Sequence, residues 1–467
     1  MANPTQQVKA APVDDGAIQK ALAEYEKNQR TYLEELKKLV RIPSVSFEGF
    51  DKQQVRKSGE ATCDLLRRIG LDNVQLLEMP GAHPYAYGEW LKAPGRPTLL
   101  LYAHHDVQPA GDLAAWSSPP FEPVERAGRL YGRGSSDDKA GIAAHLATLR
   151  AFGGRPPVGV TVFVEGEEEI GSPKLGARLD RHRDKLAADV IVLADSDNFD
   201  LGRPSLTTSL RGIAACIVEV RALAHGGHSG SFGGAAPDAL TALCRLLATL
   251  HDERGDVAID GLVRAAPSDF DYPEERFRAE SAMLGGVGLI GTGSIADRLW
   301  NKPSASVLAI DATPVADASN MLAPVARAKV SVRVAPGDEA RRAQAALVRH
   351  LRQHAPWGVQ TTVTEADLGQ PYAIDAQGPA FDAARTAYGQ AYGAPMTDLG
   401  IGGTIPFVAE FADAFPKAAI LVVSAGADPD CRAHGVDESL DLGDFERACI
   451  AETLLLDELA RRAVRAG

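Results

Sequence analysis

Five short segments that follow apolar runs in this chain are rich in acidic or imidazole side chains, and this pattern constrains the fold more than any other feature. The run LLLYA at 99–103 is followed at once by His104, His105 and Asp106. A strand that is apolar at every position is typical of a sheet covered on both faces, and such strands are usually parallel. The carboxyl ends of parallel strands meet at one edge of a sheet, where ligands bind. We therefore expect the groups that follow these runs to lie together.

The other four segments supply similar chemistry. They are GRGSSDDKAG at 132–141, EGEEEIGS at 165–172, DSDN at 195–198 and SAGADPDCRAHGVDE at 424–438. So many carboxylates at one edge would repel one another unless cations lay among them. Two divalent ions need a shared carboxylate and a few nitrogen and oxygen ligands each. The sequence therefore predicts a metal site.

The order of the apolar runs predicts an α/β fold. After an amphipathic helix at 17–41, β-rich runs alternate with helical segments from 74 to about 206 and again after about 374, which favours a mostly parallel sheet with helices on both faces. Between these regions the runs alternate between apolar and polar residues, as half-exposed strands do. We predict a discontinuous domain, 1–206 and 374–467, with an α+β domain inserted at 207–373.

Composition excludes some classes of partner and location. A formal net charge of −13 argues against nucleic acid, which would require a basic surface. The first residues lack the features of a secretion signal, and no run approaches the ~18 apolar residues of a membrane helix. The five cysteines are scattered without a C-x-x-C pair, so we expect reduced thiols and a cytoplasmic protein without a membrane partner.

Several motifs together resemble the M20 family of dinuclear metallopeptidases, especially its carnosinase-like dipeptidases. The motifs are H-x-D-V-x-P at 104–109, EGEEEIGS, the S-D-N of 196–198, HGGHSGSFGG at 225–234 and a late histidine. They occur in the family's order over about 32–460. The resemblance implies a zinc-exopeptidase-like catalytic domain and an inserted domain that serves as lid and dimerisation surface.

The resemblance also implies a set of metal ligands. One ion would be bound by His104 and Asp197, the other by Glu169 and His434, with Asp137 bridging them. Alternatives remain open within this set. Asp138 stands beside the proposed bridge, and Glu167 or Asp195 could exchange roles with a neighbour.

Two further acids complete the implied catalytic site. Asp106 would orient His104 by accepting its second ring N–H, as carboxylates beside metal sites commonly do. His105 is expected to point the other way. Glu168 would be the general base that takes a proton from the water bridging the ions and later passes it to the leaving amine.

The resemblance implies five residues on the substrate side. His228 would stabilise the oxyanion and, in dimeric members, reach across into the partner's site. Arg333 would hold the substrate carboxylate, and Asn320 would make a polar lid contact. Gly403 and Thr404 would form a loop that binds substrate through backbone and hydroxyl groups.

The resulting hypothesis is a hydrolase that cleaves the amide bond of a dipeptide or short peptide with a free C-terminal carboxylate. It would use two divalent ions per subunit, zinc by default, although a carboxylate-rich site also suits manganese or cobalt. An N-acyl-amino-acid deacylase or desuccinylase of the same family is the close alternative, and a non-catalytic binding protein on this scaffold is the distant one. A homodimer formed through 207–373 is expected.

Overall fold

The computed structural model describes residues 15–403 and 405–462, which form two compact units. The first unit contains the described residues up to 207, together with 375–399 and those from 410 onward. The second unit contains 208–374 and 400–409, apart from residue 404. The boundaries after residues 207 and 374 lie one residue from the predicted boundaries after residues 206 and 373.

The segment 400–409 differs from the prediction, which assigned all of 374–467 to the catalytic domain. The structure places this segment in the second unit. Arg211 Nε donates a hydrogen bond to the carbonyl oxygen of Gly402 at 3.0 Å. Gly400 lies so close to Trp300 that a Cβ atom would approach the indole to 2.7 Å. Such tertiary contacts leave no periodic signal in the sequence, so the pattern of apolar runs does not indicate them.

The helices vary in length from one turn to more than seven turns. They are α1 (Asp15–Val40), α2 (Lys52–Ile69), α3 (Lys139–Ala151), α4 (Leu175–Arg181), α5 (Arg183–Leu186), α6 (Ser229–Phe232), α7 (Ala239–Ala248), α8 (Glu274–Glu280), α9 (Ala340–Gln353), α10 (Pro379–Tyr392), α11 (Pro406–Ala414) and α12 (Leu442–Arg461). None of the helices that the structure describes is long and apolar enough to cross a membrane.

The strands are mostly short, and the longest have ten residues. They are β1 (Asp72–Leu77), β2 (Tyr85–Trp90), β3 (Thr98–His104), β4 (Val124–Arg126), β5 (Arg129–Tyr131), β6 (Gly159–Glu165), β7 (Val190–Leu193), β8 (Ser205–Leu210), β9 (Gly212–Arg221), β10 (Gly227–His228), β11 (Ser304–Asp311), β12 (Met321–Leu322), β13 (Val325–Val334), β14 (Gln360–Gly369), β15 (Tyr372–Ala373), β16 (Thr397–Ile401), β17 (Ala419–Val422) and β18 (Ser439–Asp441). They form the sheets described below, with small additional sheets of two or three strands.

The main sheet of the first unit has the strand order β1-β2-β6-β3-β7-β17. Strands β6, β3, β7 and β17 are parallel, and β1 and β2 add an antiparallel pair at one edge. The three strands β3, β6 and β7 are buried at almost every position, which explains why their sequences do not alternate. Helix α3 packs on β3, and α2 packs on β1 and β2. The predicted α/β class with a largely parallel sheet is confirmed.

The register of this sheet positions the site. His104, the last residue of β3, lies opposite Glu165, the last residue of β6. On the other side of β3, Tyr102 lies opposite Leu193, the last residue of β7. The loops that follow these three strands therefore leave the sheet at the same edge.

The second unit is built on an antiparallel sheet with the order β11-β13-β9-β14. Helices α7 and α9 pack on it and bury a core of aliphatic residues such as Val218, Leu243 and Leu347. The other face is partly open, because Ile217 of β9 is 38% exposed. This pattern accounts for the alternating sequences of β9 and β13.

Candidate metal centre and active site

The predicted metal ligands lie at a strand end and in loops of the first unit. His104 ends β3, and Asp137 lies in the loop before α3. Glu168 and Glu169 lie in a single helical turn after β6, and His434 lies in the long loop after β17. All of these residues belong to the same unit.

Asp137 lies between the two histidines. Its Oδ1 atom is 2.9 Å from His104 Nε2, and its Oδ2 atom is 3.0 Å from His434 Nε2. His434 Nε2 is also 3.2 Å from Glu169 Oε2. One carboxylate thus presents a different oxygen to each imidazole, which is the arrangement expected of a bridging ligand.

Two groups of donor atoms are close enough to hold ions. His104, Glu168 and Asp195 form one group, and His104, Asp137 and Glu169 form the other, with the donor atoms of each group within 4.8 Å of one another. Imidazole nitrogens with carboxylate oxygens are a donor set that suits zinc, manganese or cobalt. The residues present therefore fit divalent metal ions.

Asp195, rather than Asp197, is the aspartate near His104. Asp195 Oδ2 is 3.8 Å from His104 Nε2, whereas Asp197 is an exposed residue that belongs to neither donor group. The strand register explains the difference. Because Leu193 lies opposite Tyr102, the residues two positions further on, Asp195 and His104, leave the sheet side by side. The geometry thus favours Asp195 over the residue chosen from the S-D-N resemblance.

Asp138 is directed toward the backbone and not toward the donor groups. Its Oδ1 atom accepts a hydrogen bond from the Gly141 N–H at 3.1 Å, which caps the start of α3. Its Oδ2 atom accepts from the His104 N–H at 3.1 Å. The peptide bond between Asp137 and Asp138 is cis. Asp138 therefore fixes the backbone of its neighbours, and the geometry favours Asp137 as the bridge.

Glu167 is also turned away from the donor groups. Its Oε1 atom accepts a hydrogen bond from the His83 N–H at 3.0 Å, and its Oε2 atom accepts from the Tyr85 hydroxyl at 3.4 Å. Glu168, in contrast, has its Oε2 atom 4.0 Å from His104 Nε2 and is 17% exposed. Of these two neighbours, only Glu168 reaches the candidate metal centre.

Asp106 holds both the histidine and the acidic turn. His104 Nδ1 is 3.0 Å from the Asp106 carbonyl oxygen and 3.5 Å from its Oδ1 atom. The same carboxylate accepts hydrogen bonds from the N–H groups of Glu168 at 3.2 Å and Glu169 at 3.1 Å. His105 faces elsewhere, as expected, with its Nε2 atom 3.0 Å from the Pro84 carbonyl oxygen. Asp106 therefore orients more of the site than the sequence suggested.

Gln108 is a site residue that no pattern in the sequence indicated. Its Nε2 atom donates a hydrogen bond to Glu169 Oε2 at 2.7 Å, and its backbone N–H donates to Glu169 Oε1 at 3.0 Å. The contact joins segments that are 61 residues apart. The only sequence signal was its place inside the H-x-D-V-x-P motif.

The ionisation of the acids reflects their crowding. Burial raises the pKa of Glu168 well above its ordinary value, against the opposing charge of His104, and the carboxylate of Asp195 raises it further. Burial likewise raises the pKa of Asp195 to about 7. Burial opposes the ionisation of Asp137, but hydrogen bonds from His104 and His434 hold its pKa below the ordinary value. Added positive charge would relieve this crowding.

The predicted substrate residues that the structure describes lie in the second unit. His228 is exposed and pairs with Met321 across β10 and β12, next to Asn320, whose carbonyl oxygen accepts from the Ser229 N–H at 2.9 Å. His228 Nδ1 accepts hydrogen bonds from the N–H groups of Gly230 at 3.1 Å and Ser231 at 3.3 Å. A neutral His228 ring therefore carries its proton on Nε2.

Arg333 lies half-buried on β13, where it pairs with Ile213 of β9. Burial lowers the pKa of its guanidinium. Gly403 directly follows Gly402, whose carbonyl oxygen accepts a hydrogen bond from Arg211 Nε. Thr404 lies outside the described residues.

The chain matches a family model and several curated proteins. The model of peptidase family M20/M25/M40 matches residues 100–458. A cysteinylglycine-S-conjugate dipeptidase of Corynebacterium striatum is 38% identical over 77% of this chain and 80% of its own length. A Beta-Ala-His dipeptidase of Rattus norvegicus is 27% identical over 93% of this chain and 94% of its own length.

Solved structures show the same fold. The dipeptidase Dug1p of Saccharomyces cerevisiae superposes with a TM-score of 0.79 and 22% identity over 96% of this chain and 99% of its own. Human carnosine dipeptidase 1 superposes with a TM-score of 0.79 and 23% identity over 97% of this chain and its entire chain. The match of the family model covers more than half of the chain. The chain therefore belongs to peptidase family M20/M25/M40 and is a metallopeptidase, a hydrolase that acts on peptide bonds.

Proposed function

We propose that this metallopeptidase is a dipeptidase with a dinuclear metal centre, which cleaves substrates that carry a free C-terminal carboxylate. The observation that carries the proposal is the position of Asp137, whose two oxygens face His104 and His434. The ligands of one ion would be His104 and Asp195, and those of the other would be Glu169 and His434. When bound, the ions would polarise the scissile carbonyl and lower the pKa of the attacking water.

Glu168 is the proposed general base. Its carboxyl group reaches the donor cluster, and burial raises its pKa, which makes its carboxylate a stronger base. It would take the proton from the attacking water and pass it to the leaving amine. Asp106 supports this step by binding the Glu168 N–H.

The residues of the second unit would bind the substrate. His228 Nε2 can donate a hydrogen bond to the oxyanion, because Nδ1 is already occupied as an acceptor. Arg333 would bind the C-terminal carboxylate through a charge-assisted pair of hydrogen bonds. Asn320, Gly403 and Thr404 would make the remaining polar contacts.

The names of the relatives support a dipeptide substrate. One is a cysteinylglycine-S-conjugate dipeptidase and another a Beta-Ala-His dipeptidase. Both substrates end in a free carboxylate and begin with a free amine. These names favour a dipeptide substrate over an N-acylated amino acid, which lacks the amine.

We further propose that the protein is a homodimer formed through the second unit. Strand β11 is an edge strand of its sheet, and Val307, Leu308 and Ile310 on it are 41%, 56% and 43% exposed. An apolar edge of this length tends to pair with another strand. A second copy would cover it, and His228 would then act in the partner's site. A fully active monomer in solution would refute this assembly.

The proposal is tested by hydrolysis after removal of metal with a chelator. Zinc, manganese or cobalt is restored separately, and Cys-Gly and β-Ala-His are compared with N-acetyl and N-succinyl amino acids. Cleavage of the free dipeptides alone is expected. Cleavage of acylated substrates alone would assign the enzyme to the deacylases. If neither class is cleaved, the result would support a non-catalytic binding protein.

The role of Glu168 is tested by Glu168→Gln, with Glu167→Gln as the matched control. The first variant should bind metal and lose activity, because it keeps the size of the side chain but cannot take a proton. The second should remain active, because Glu167 is directed toward His83 and Tyr85. Full activity of metal-loaded Glu168→Gln would refute the mechanism.

A further inference from the structure

Glu438 is a fully buried acid that binds the loop carrying Asp137. Its Oε1 atom accepts hydrogen bonds from the N–H groups of Ser136 at 3.0 Å and Asp137 at 3.1 Å. Its Oε2 atom accepts from the Gly134 N–H at 2.9 Å and from Arg133 Nη1 at 2.6 Å. Both oxygens of one carboxylate are therefore occupied by donors from a single short loop.

Arg133 extends this contact to the loop that carries His434. Its Nη2 atom donates to the carbonyl oxygens of His434 and Gly435, both at 3.0 Å. Arg133 is 1% exposed, so the ion pair with Glu438 is shielded from water. The pair thus joins the backbone of Asp137 to the backbone of His434.

We propose that Glu438 and Arg133 are positioning residues that set the separation of Asp137 and His434, and thereby the affinity of the centre for metal. The inference rests on the metal centre in the proposed function. A bridging carboxylate must present its oxygens to two ions at once, and small displacements of its backbone would spoil this geometry. Glu438 fixes that backbone at the Asp137 N–H itself.

A purely structural ion pair would behave differently. His145 and Glu452 form such a pair in the same unit, with His145 Nδ1 2.8 Å from Glu452 Oε2 and both side chains buried. Neither belongs to the donor groups. Breaking this pair should lower stability without changing metal affinity, so Glu452→Gln is the matched control for Glu438→Gln.

The test measures zinc affinity of the metal-free full-length protein by competition with a coloured chelator, and the absorption spectrum after cobalt is added. In Glu438→Gln the amide NH₂ would oppose backbone N–H donors. We expect zinc affinity to fall about 10- to 100-fold, as is usual when a group that hydrogen-bonds to a metal ligand is changed. The cobalt spectrum should change as well, and Glu452→Gln should match the wild type in both measurements.

Thermal unfolding of the metal-free proteins is measured first. If Glu438→Gln does not fold, Glu438→Asp and Arg133→Lys, which keep the charges, are examined in the same way. Folded variants with wild-type affinity and cobalt spectrum would overturn the inference. Loss of folding in all three variants would do so too, since it would make the role structural.

The same data separate this inference from the proposed function. Wild-type protein that binds metal but hydrolyses nothing would refute the function. In that case the change in affinity in the Glu438 variants would still support the positioning role.

Discussion

Asp195 Oδ2 lies 3.8 Å from His104 Nε2. Leu193 of β7 lies directly opposite Tyr102 of β3, and Asp195 and His104 each follow two positions later in their chain segments. Asp197 is two residues further from the sheet and is exposed. The register of β3 and β7 therefore decides which aspartate faces the histidine.

This relationship predicts different effects of two similar substitutions. Substitution of a group that hydrogen-bonds to a metal ligand commonly lowers metal affinity about 10- to 100-fold. Asp195→Asn should lower the affinity by more than this. Activity should fall with it, because a carboxylate oxygen is lost from the donor set. Asp197→Asn should leave both unchanged. Zinc stoichiometry and kcat/KM of the two variants decide the matter, and the reverse result would restore Asp197 as the ligand.

Gln108 should contribute to metal affinity through Glu169. Gln108→Met keeps the approximate size of the side chain but removes the 2.7 Å hydrogen bond to Glu169 Oε2. We expect zinc affinity to fall by about tenfold, which is a small effect for the loss of a hydrogen bond to a metal ligand. The effect is small because the backbone N–H of residue 108 still binds the Glu169 carboxylate. Gln53→Met, on an exposed face of α2, is the control. An unchanged zinc affinity in the Gln108 variant would show that Glu169 needs no such support.

The sequence predicted those parts of the site that depend on strand ends. The apolar run before His104 indicated a buried parallel strand, and the rule that parallel strands end at one edge brought His104, Glu168 and His434 together before any distance was known. The structure agrees because that rule depends only on chain direction.

The parts that the sequence did not predict depend on contacts between distant segments. The choice of Asp195 required the register of two strands. The bond between Gln108 and Glu169 joins two loops, and neither loop contains a local pattern that indicates it. Asp138 is a partial exception, because an aspartate directly before a helix is a common cap.

The buried pair of His145 and Glu452 should make stability depend on pH. Both ring nitrogens of His145 face acceptors, Glu452 Oε2 at 2.8 Å and the Tyr102 carbonyl oxygen at 3.0 Å, so the folded protein favours the imidazolium. Although burial opposes the charge, the carboxylate of Glu452 raises the pKa of His145 above its ordinary value of 6.5. A raised pKa adds stability that is complete below pH 6.5 and is lost as the pH rises through the folded-state pKa.

Urea unfolding of the wild type and Glu452→Gln between pH 5.5 and 9 measures this contribution. Removing one partner of a buried pair costs about 3–5 kcal/mol. The difference between the two proteins should be largest near pH 5.5 and should shrink toward pH 9. A difference that does not vary with pH would mean that His145 is neutral in the folded protein throughout this range.

Arg333 should act on substrate affinity more than on turnover. Arg333→Lys keeps the charge but loses the paired geometry with a carboxylate, and a hydrogen bond to a charged group is worth about 1.5–3 kcal/mol. We therefore expect KM for dipeptides to rise about 10- to 100-fold with a small change in kcat. Arg327→Lys is the control on the same strand, because Arg327 is exposed and binds Asp311. Dipeptide amides, which lack the carboxylate, should be poor substrates for the wild type and no poorer for Arg333→Lys. If Arg333→Lys raises KM for the amides as much as it raises KM for the dipeptides, Arg333 binds some other part of the substrate.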